Sequence, residues 1–246
     1  MIAARIVTPE MLDHLAPSDP AARRSREDLV RLHKVMATGS ILVQAWGELL
    51  HNCRSDPLRI LELGAGDGTL LLGLARALAT STVPVQLTLL DRQDIVSQAT
   101  LAGYAELGWQ IQVQVVDVLD WAPVHADSAR KQAKPRWDLI TTTLFLHHFE
   151  SVELESLLTK VAASCDRFFA CEPKRAWLAL AGSYLVGAIG ANAVTRQDAV
   201  LSVRAGFRAE EISAHWPPDR QQWQLREYAA GLFSHCFSAQ RAGPGL

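Results

Sequence analysis

The run Leu58–Leu70, LRILELGAGDGTL, places Gly64, Gly66 and Gly68 two residues apart, between an apolar stretch and the start of a second one. Glycine has no Cβ and accepts positive φ, so such a turn lets backbone N–H groups approach a ligand closely. A helix following the turn adds unpaired N–H donors and a positive dipole end. A nucleotide-like ligand is expected there. A dinucleotide fingerprint would need glycine where Thr69 stands, and a P-loop would need a Gly-Lys-Ser/Thr ending that the sequence lacks. Asp91 ends the apolar run VQLTLLD and Asp117 ends QVQVVD. A carboxylate ending the second strand can accept from both ribose hydroxyls of a nucleoside. The phrase LFLHHF brings His147 and His148, whose imidazoles suit proton removal near neutral pH. Glu172 and Arg175, in CEPKR, add a carboxylate and a guanidinium at a fifth strand end.

These groups need a scaffold that delivers them to one edge. Strands are predicted near 58–63, 85–90, 111–116, 137–143 and 167–171, with helices near 68–80, 94–107 and 151–163. Alternation of this kind signals a parallel sheet with helices on both faces, whose ligands bind at the carboxyl ends of the strands. Ahead of it, Ser25–His51 has helical periodicity through Leu29, Leu32, Val35 and Met36, with a start signal at Ser25 and Asp28. This segment is expected to cap the ligand edge. Residues 1–25 read as loosely ordered, and 126–136 as a charged surface loop. Beyond Cys171, helices are predicted over 176–190 and 196–205, and closing strands near 209–216 and 231–240. The organisation read from this is a helical cap over 1–54 and a ligand-binding unit over 55–246, with a helical pocket insert near 174–206.

Composition narrows the functional class. The 246 residues are 49% hydrophobic and 20% charged, with a net charge of −2. That is ordinary for a globular chain, and it gives no basic field to draw in nucleic acid. Cys53, Cys165, Cys171 and Cys236 lack metal-ligand spacing, so no metal site is expected, and free thiols suit a reducing cytoplasm. The N-terminus lacks the apolar core of a signal peptide. Ala176–Val194 is free of charge for nearly the length of a membrane span, but Ala, Gly, Ser183, Tyr184 and Asn192 suit a buried or substrate-facing helix better.

The pattern Glu62-x-Gly64-x-Gly66-x-Gly68 resembles the first motif of class I S-adenosylmethionine-dependent methyltransferases, and LHHF resembles the post-strand segment of members that act on quinones and other small molecules. The resemblance covers 55–175 well and the rest loosely. It implies an α/β, Rossmann-like, doubly wound sheet of seven strands, mostly parallel with an antiparallel C-terminal strand. It implies S-adenosyl-L-methionine as cofactor, leaving as S-adenosyl-L-homocysteine. In that family's terms Gly64, Ala65, Gly66 and Gly68 form the loop under the methionine part. Glu62 positions that loop or the methionine amino group. Asp91, with Arg92 beside it, takes the ribose; Asp117 and the N–H of Val118 take the adenine, with Asp120 a rival for Asp117; Thr143 ends the strand facing the sulfonium. Trp121 either covers the adenine or packs in the core. His148, or His147, is then the base, and Glu172 sits at the pocket rim to bind an acceptor hydroxyl or orient a histidine. Arg175 holds an anionic or phenolate oxygen, and Tyr184 lines the acceptor pocket.

The implied reaction is methylation of a hydrophobic small molecule of secondary metabolism, with a phenolic or polyketide-like oxygen as the leading acceptor. Nucleic acid and stable membrane insertion are not expected among the partners, and a homodimer is left open. Two other classes stay open at this point: a nucleotide-dependent oxidoreductase, disfavoured by the glycine spacing, and a non-catalytic scaffold, disfavoured by the intact set of acids.

Overall fold

Short apolar runs separated by amphipathic helices leave the central strands buried on both faces, and the chain closes on that plan. The computed structural model describes residues 4–78, 83–122, 136–219 and 222–242. Its order is α1 (Met11–His14), α2 (Pro20–Val35), α3 (Thr38–Leu50), β1 (Leu58–Leu63), α4 (Thr69–Ala77), β2 (Val85–Asp91), α5 (Gln98–Glu106), β3 (Gln110–Val115), β4 (Leu139–Thr143), α6 (Ser151–Ser164), β5 (Arg167–Pro173), α7 (Trp177–Leu185), α8 (Ala193–Ala205), α9 (Glu211–Ala214), β6 (Trp223–Ala230) and β7 (Ser234–Arg241). Single 3₁₀ turns cover Leu146–His148 and Val186–Ile189. The seven strands form one sheet in the order β3-β2-β1-β4-β5-β7-β6. β1 to β5 run parallel, and β7 slots antiparallel between β5 and β6. The order reverses between β1 and β4, and at such a switch point the carboxyl ends of neighbouring strands splay apart and open a crevice.

Two apolar layers cover the sheet. One joins Leu42, Trp46 and Leu49 of α3 to Leu71, Tyr104, Ile60, Leu87 and Phe169. The other joins Leu154, Leu158 and Val161 of α6 to Phe168, Trp216, Trp223 and Phe237. Trp121 packs in this second layer. Trp216 stacks on Phe168 with centroids 5.6 Å apart and meets Trp223 edge-on at 5.0 Å.

Four expectations need correction. The single helix over 25–51 is two helices, because Ala37 adopts φ +55 and breaks the ladder while the apolar periodicity continues on both sides. The start lies earlier than Ser25: Asp19 caps α2 by accepting from Ala21 N–H at 2.7 Å, with Pro20 in the first turn. Residues 209–216 are not a strand. Ile212 and Trp216, four residues apart, bury one side of a short helical turn, and the antiparallel partner of β7 is β6. Charged residues disguised β6: Glu227 is buried inside it, accepting from Ile212 N–H, Ser213 N–H and the His235 ring. Finally, the start of the chain is fixed to the fold from Arg5 onward rather than loose. The expected loop over 126–136 lies, but for Arg136, outside the described residues. Among the described residues no helix is long and apolar enough to cross a membrane; Ala176–Val194 is broken into α7, a 3₁₀ turn and the start of α8.

Candidate active site

The carboxyl ends of β1, β2 and β4 and the loop after β3 open onto one cleft of about 640 Å³. Its walls include Glu62, Gly64, Ala65, Gly66, Asp91, Arg92, Asp117, Val118, Thr143, His147 and His148. Asp120 is not among them. The glycine turn divides its tasks. Gly66 has φ +57, and a Cβ there would meet open cleft, so this is the backbone a ligand can approach. Gly64, at φ +68, lies against the Phe145 ring, 2.3 Å from where its Cβ would stand. Gly68 does not face the cleft. It caps α4 at φ +72 against Leu89, and its carbonyl accepts from Tyr104 Oη at 2.8 Å.

The acids are held by backbone. Asp91 accepts from Gly66 N–H at 2.8 Å and Gln93 N–H at 2.9 Å, which ties the glycine turn to the end of β2. A carboxylate has roughly four acceptor sites, so two remain. Asp117 accepts from Leu119 N–H at 2.9 Å. Glu62 is buried, and its Oε2 has no hydrogen-bond partner. Burial first, then Asp91 and Asp67, push its carboxyl well above the usual carboxylate range. An unpartnered buried carboxyl flanked by two acids is short of a cation. Thr143 Oγ1, at the cleft wall, is also unpartnered. These features fit a ligand with a positively charged amine at the β1 end and hydroxyls at the β2 end.

The histidine side departs from expectation. Glu172 is fully buried, not on the rim. Its carboxylate accepts from the N–H groups of Phe145, Leu146 and His147 at 3.1, 2.9 and 3.3 Å and from His147 Nδ1 at 2.8 Å. It therefore shapes the post-β4 turn rather than touching a ligand. His147 is sandwiched, since Nε2 reaches Glu10 Oε1 at 3.2 Å. Burial opposes its charge, but hydrogen bonds to Glu10 and Glu172 prevail and raise its pKa to about 9. At neutral pH it is an imidazolium and cannot accept a proton. His148 lines the cleft with Nδ1 3.1 Å from Asp13 Oδ2.

Arg175 and Tyr184 do not reach the cleft. Arg175 is buried, donating to Gly206 O and Glu211 Oε1 at 2.5 Å each. Tyr184 is 60% exposed and accepts from Arg204 at 3.1 Å. Arg92 turns outward to the carbonyl of Asp13, at 2.6 Å.

Within the cap expected over 1–54, sequence reading did not single out the lid segment at its start. Residues 5–14 cross the cleft mouth, and Glu10 and Asp13 of this segment reach the histidines. Arg5 holds it down, donating to Ala205, His147 and Phe149 carbonyls at 2.7, 3.1 and 2.9 Å and lying over the Phe207 ring. Asp198 accepts from Met11 and Leu12 N–H. Short polar–apolar mixtures such as TPEMLDH carry no period, and only the acids flanking Met11 hinted at a role. His33, from α2, was also passed over. Burial lowers its pKa to about 4, so it stands neutral in the cleft wall.

The raised pKa of His147 makes stability depend on pH. Its folded value exceeds the unfolded value, so its contribution is complete below about pH 6.5 and is lost as pH climbs through about 9. The melting temperature is expected to fall between pH 7 and 10, with up to roughly 3 kcal/mol at stake. Glu10→Gln should flatten the fall, measured by thermal denaturation across that range.

No family model matches the sequence, and no curated protein matches it. Solved structures do match. The plantazolicin methyltransferase BpumL in complex with SAH superposes with a TM-score of 0.63 at 13% identity, covering 92% of both chains. The chain has the class I methyltransferase fold. BpumL with a triazolic desmethylPZN analog and SAH gives 0.63 at 12% identity, over 92% of this chain and 93% of that one. An O-methyltransferase family protein from Burkholderia thailandensis gives 0.57 at 15% identity, over 93% of this chain and 62% of that one. In this methyltransferase fold the cleft above lies at the β1/β4 switch point of the sheet.

Proposed function

We propose that the chain is a methyltransferase that uses S-adenosylmethionine to methylate a small molecule. One observation carries the reading: the open backbone at Gly66, the strand-end acids Asp91 and Asp117, and the orphaned Glu62 oxygen converge on one cleft. The neighbours crystallised with SAH support it. Glu62 would bind the methionine ammonium, which answers its missing cation. The two free acceptor sites of Asp91 would take the ribose hydroxyls, and Asp117 and Val118 would hold the adenine. Bound there, the cofactor supplies a methyl group already activated by its sulfonium.

The protein's task is then alignment and proton removal. Glu172 fixes the post-β4 turn, and His147 locks that turn to Glu10. His148, with Asp13 behind its Nδ1, takes the acceptor's proton. In this reading residues 1–54 cap a catalytic unit over 55–246, and α8 of the 174–206 insert adds Ser202 to the wall. A phenolic or polyketide-like oxygen is the acceptor the sequence resemblance implies, although Arg175, which that idea used, is bound elsewhere.

Two substitutions test the reading. Asp91→Ala should weaken S-adenosylmethionine binding at least about tenfold, the equivalent of losing a charge-assisted bond of roughly 1.5–3 kcal/mol. Unchanged calorimetric affinity would refute the ribose role. His148→Ala should lower turnover far more than cofactor affinity. If turnover on the true acceptor survives, the base lies elsewhere.

A further inference from the structure

The charges around the cleft are lopsided. Among the described residues, eight carboxyl groups line it against two arginines and the His147 imidazolium. Both arginines are engaged: Arg26 with Pro17 O and Gln93 Oε1, at 3.1 and 3.0 Å, and Arg92 with Asp13. The lid, which faces the acceptor's side in the reading above, contributes Glu10 and Asp13 to the lining and no lysine or arginine. Arg175, the one cation that sequence reasoning offered to an anionic acceptor, is locked to Glu211 and Gly206 behind the site. The cofactor's single net positive charge offsets only part of this surplus. A cleft lined by one sign of charge concentrates ligands of the opposite sign and repels its own.

Resting on the S-adenosylmethionine reading, we propose that the acceptor is a cationic amine, steered in by Glu10 and Asp13 and methylated on nitrogen. Glu10 already meets His147 and Ser202, Asp13 already meets His148 and Arg92, and each keeps acceptor sites for an ammonium N–H. One N–H proton passes to His148. The freed lone pair forms the N–CH₃ bond while the S–CH₃ bond breaks and leaves its pair on sulfur. The products are neutral S-adenosylhomocysteine and a methylated ammonium. Asp13 stabilises the imidazolium formed at His148.

The test is a calorimetric titration of the full chain, saturated with S-adenosylhomocysteine, with three probes of one shape: 2-phenylethylamine, 2-phenylethanol and phenylacetate. Saturation is checked first by its own titration; failure there strikes the cofactor reading and not the acceptor class. The amine is expected to bind at least tenfold tighter than either partner. Glu10→Gln/Asp13→Asn should erase that preference with S-adenosylhomocysteine still bound. Equal or tighter binding of the alcohol or the acid, no binding of any probe, or a preference that persists in the double variant would overturn the proposal. If the double variant misfolds, products made from a metabolite extract with ¹³C-methyl donor decide it. Label on nitrogen in the cation-exchange fraction supports the proposal, and label on oxygen overturns it.

Discussion

Gly66→Val is expected to abolish cofactor binding while leaving the fold standing. The position has φ +57 and no atom near the place a Cβ would occupy, so the added side chain would project into the ligand's space rather than into protein. The backbone cost of the left-handed conformation is only about 1–2 kcal/mol for a non-glycine residue. The ligand would lose both its close approach and its room, so affinity should drop at least about a hundredfold, or roughly 2.8 kcal/mol. Gly64→Ala is the informative contrast. Its Cβ would run into the Phe145 ring, so it should show as lost thermal stability. Calorimetry paired with thermal denaturation separates the two. If Gly66→Val binds S-adenosylmethionine normally, no ligand lies against that turn.

Glu172→Ala should be the most damaging single change to the fold at this edge. It strips the partner from three backbone N–H groups and leaves the His147 imidazolium with only Glu10. Breaking one side of a buried charged pair costs about 3–5 kcal/mol. At this chain length that lowers the melting temperature on the order of 10 °C. Glu172→Gln keeps one acceptor oxygen and should fall in between. A melting temperature unchanged in the alanine variant would show that the post-β4 turn does not depend on this carboxylate.

The parts legible in the sequence were those governed by period and position. β1, β2, β3 and β5 were runs ended by glycine or an acid and β4 by threonine, and the strand-end residues Gly64, Gly66, Asp91, Asp117 and Thr143 meet at one cleft. What escaped was set by tertiary contacts. Ala37 breaks a helix whose apolar period runs on unbroken. β6 reads poorly because Glu227, buried inside it, is satisfied by groups remote in sequence. Glu172 looked like a rim carboxylate because the backbone N–H groups that bury it come from the turn after another strand. Glu10 and Asp13 carry no local signature, and only the folded lid brings them to His147 and His148. Arg175 and Tyr184 followed the plausible assumption that the segment after β5 lines the pocket, whereas Arg175 turns inward to Glu211 and Tyr184 faces outward.

The central claim is a nucleoside sulfonium seated on the Gly66 turn between Glu62, Asp91 and Asp117. A crystal of the chain grown with S-adenosylhomocysteine tests it most directly. The expected density runs from the Glu62 end, across both Asp91 oxygens, to Asp117 and Val118. Density elsewhere, or a bare cleft at saturating ligand, would contradict it.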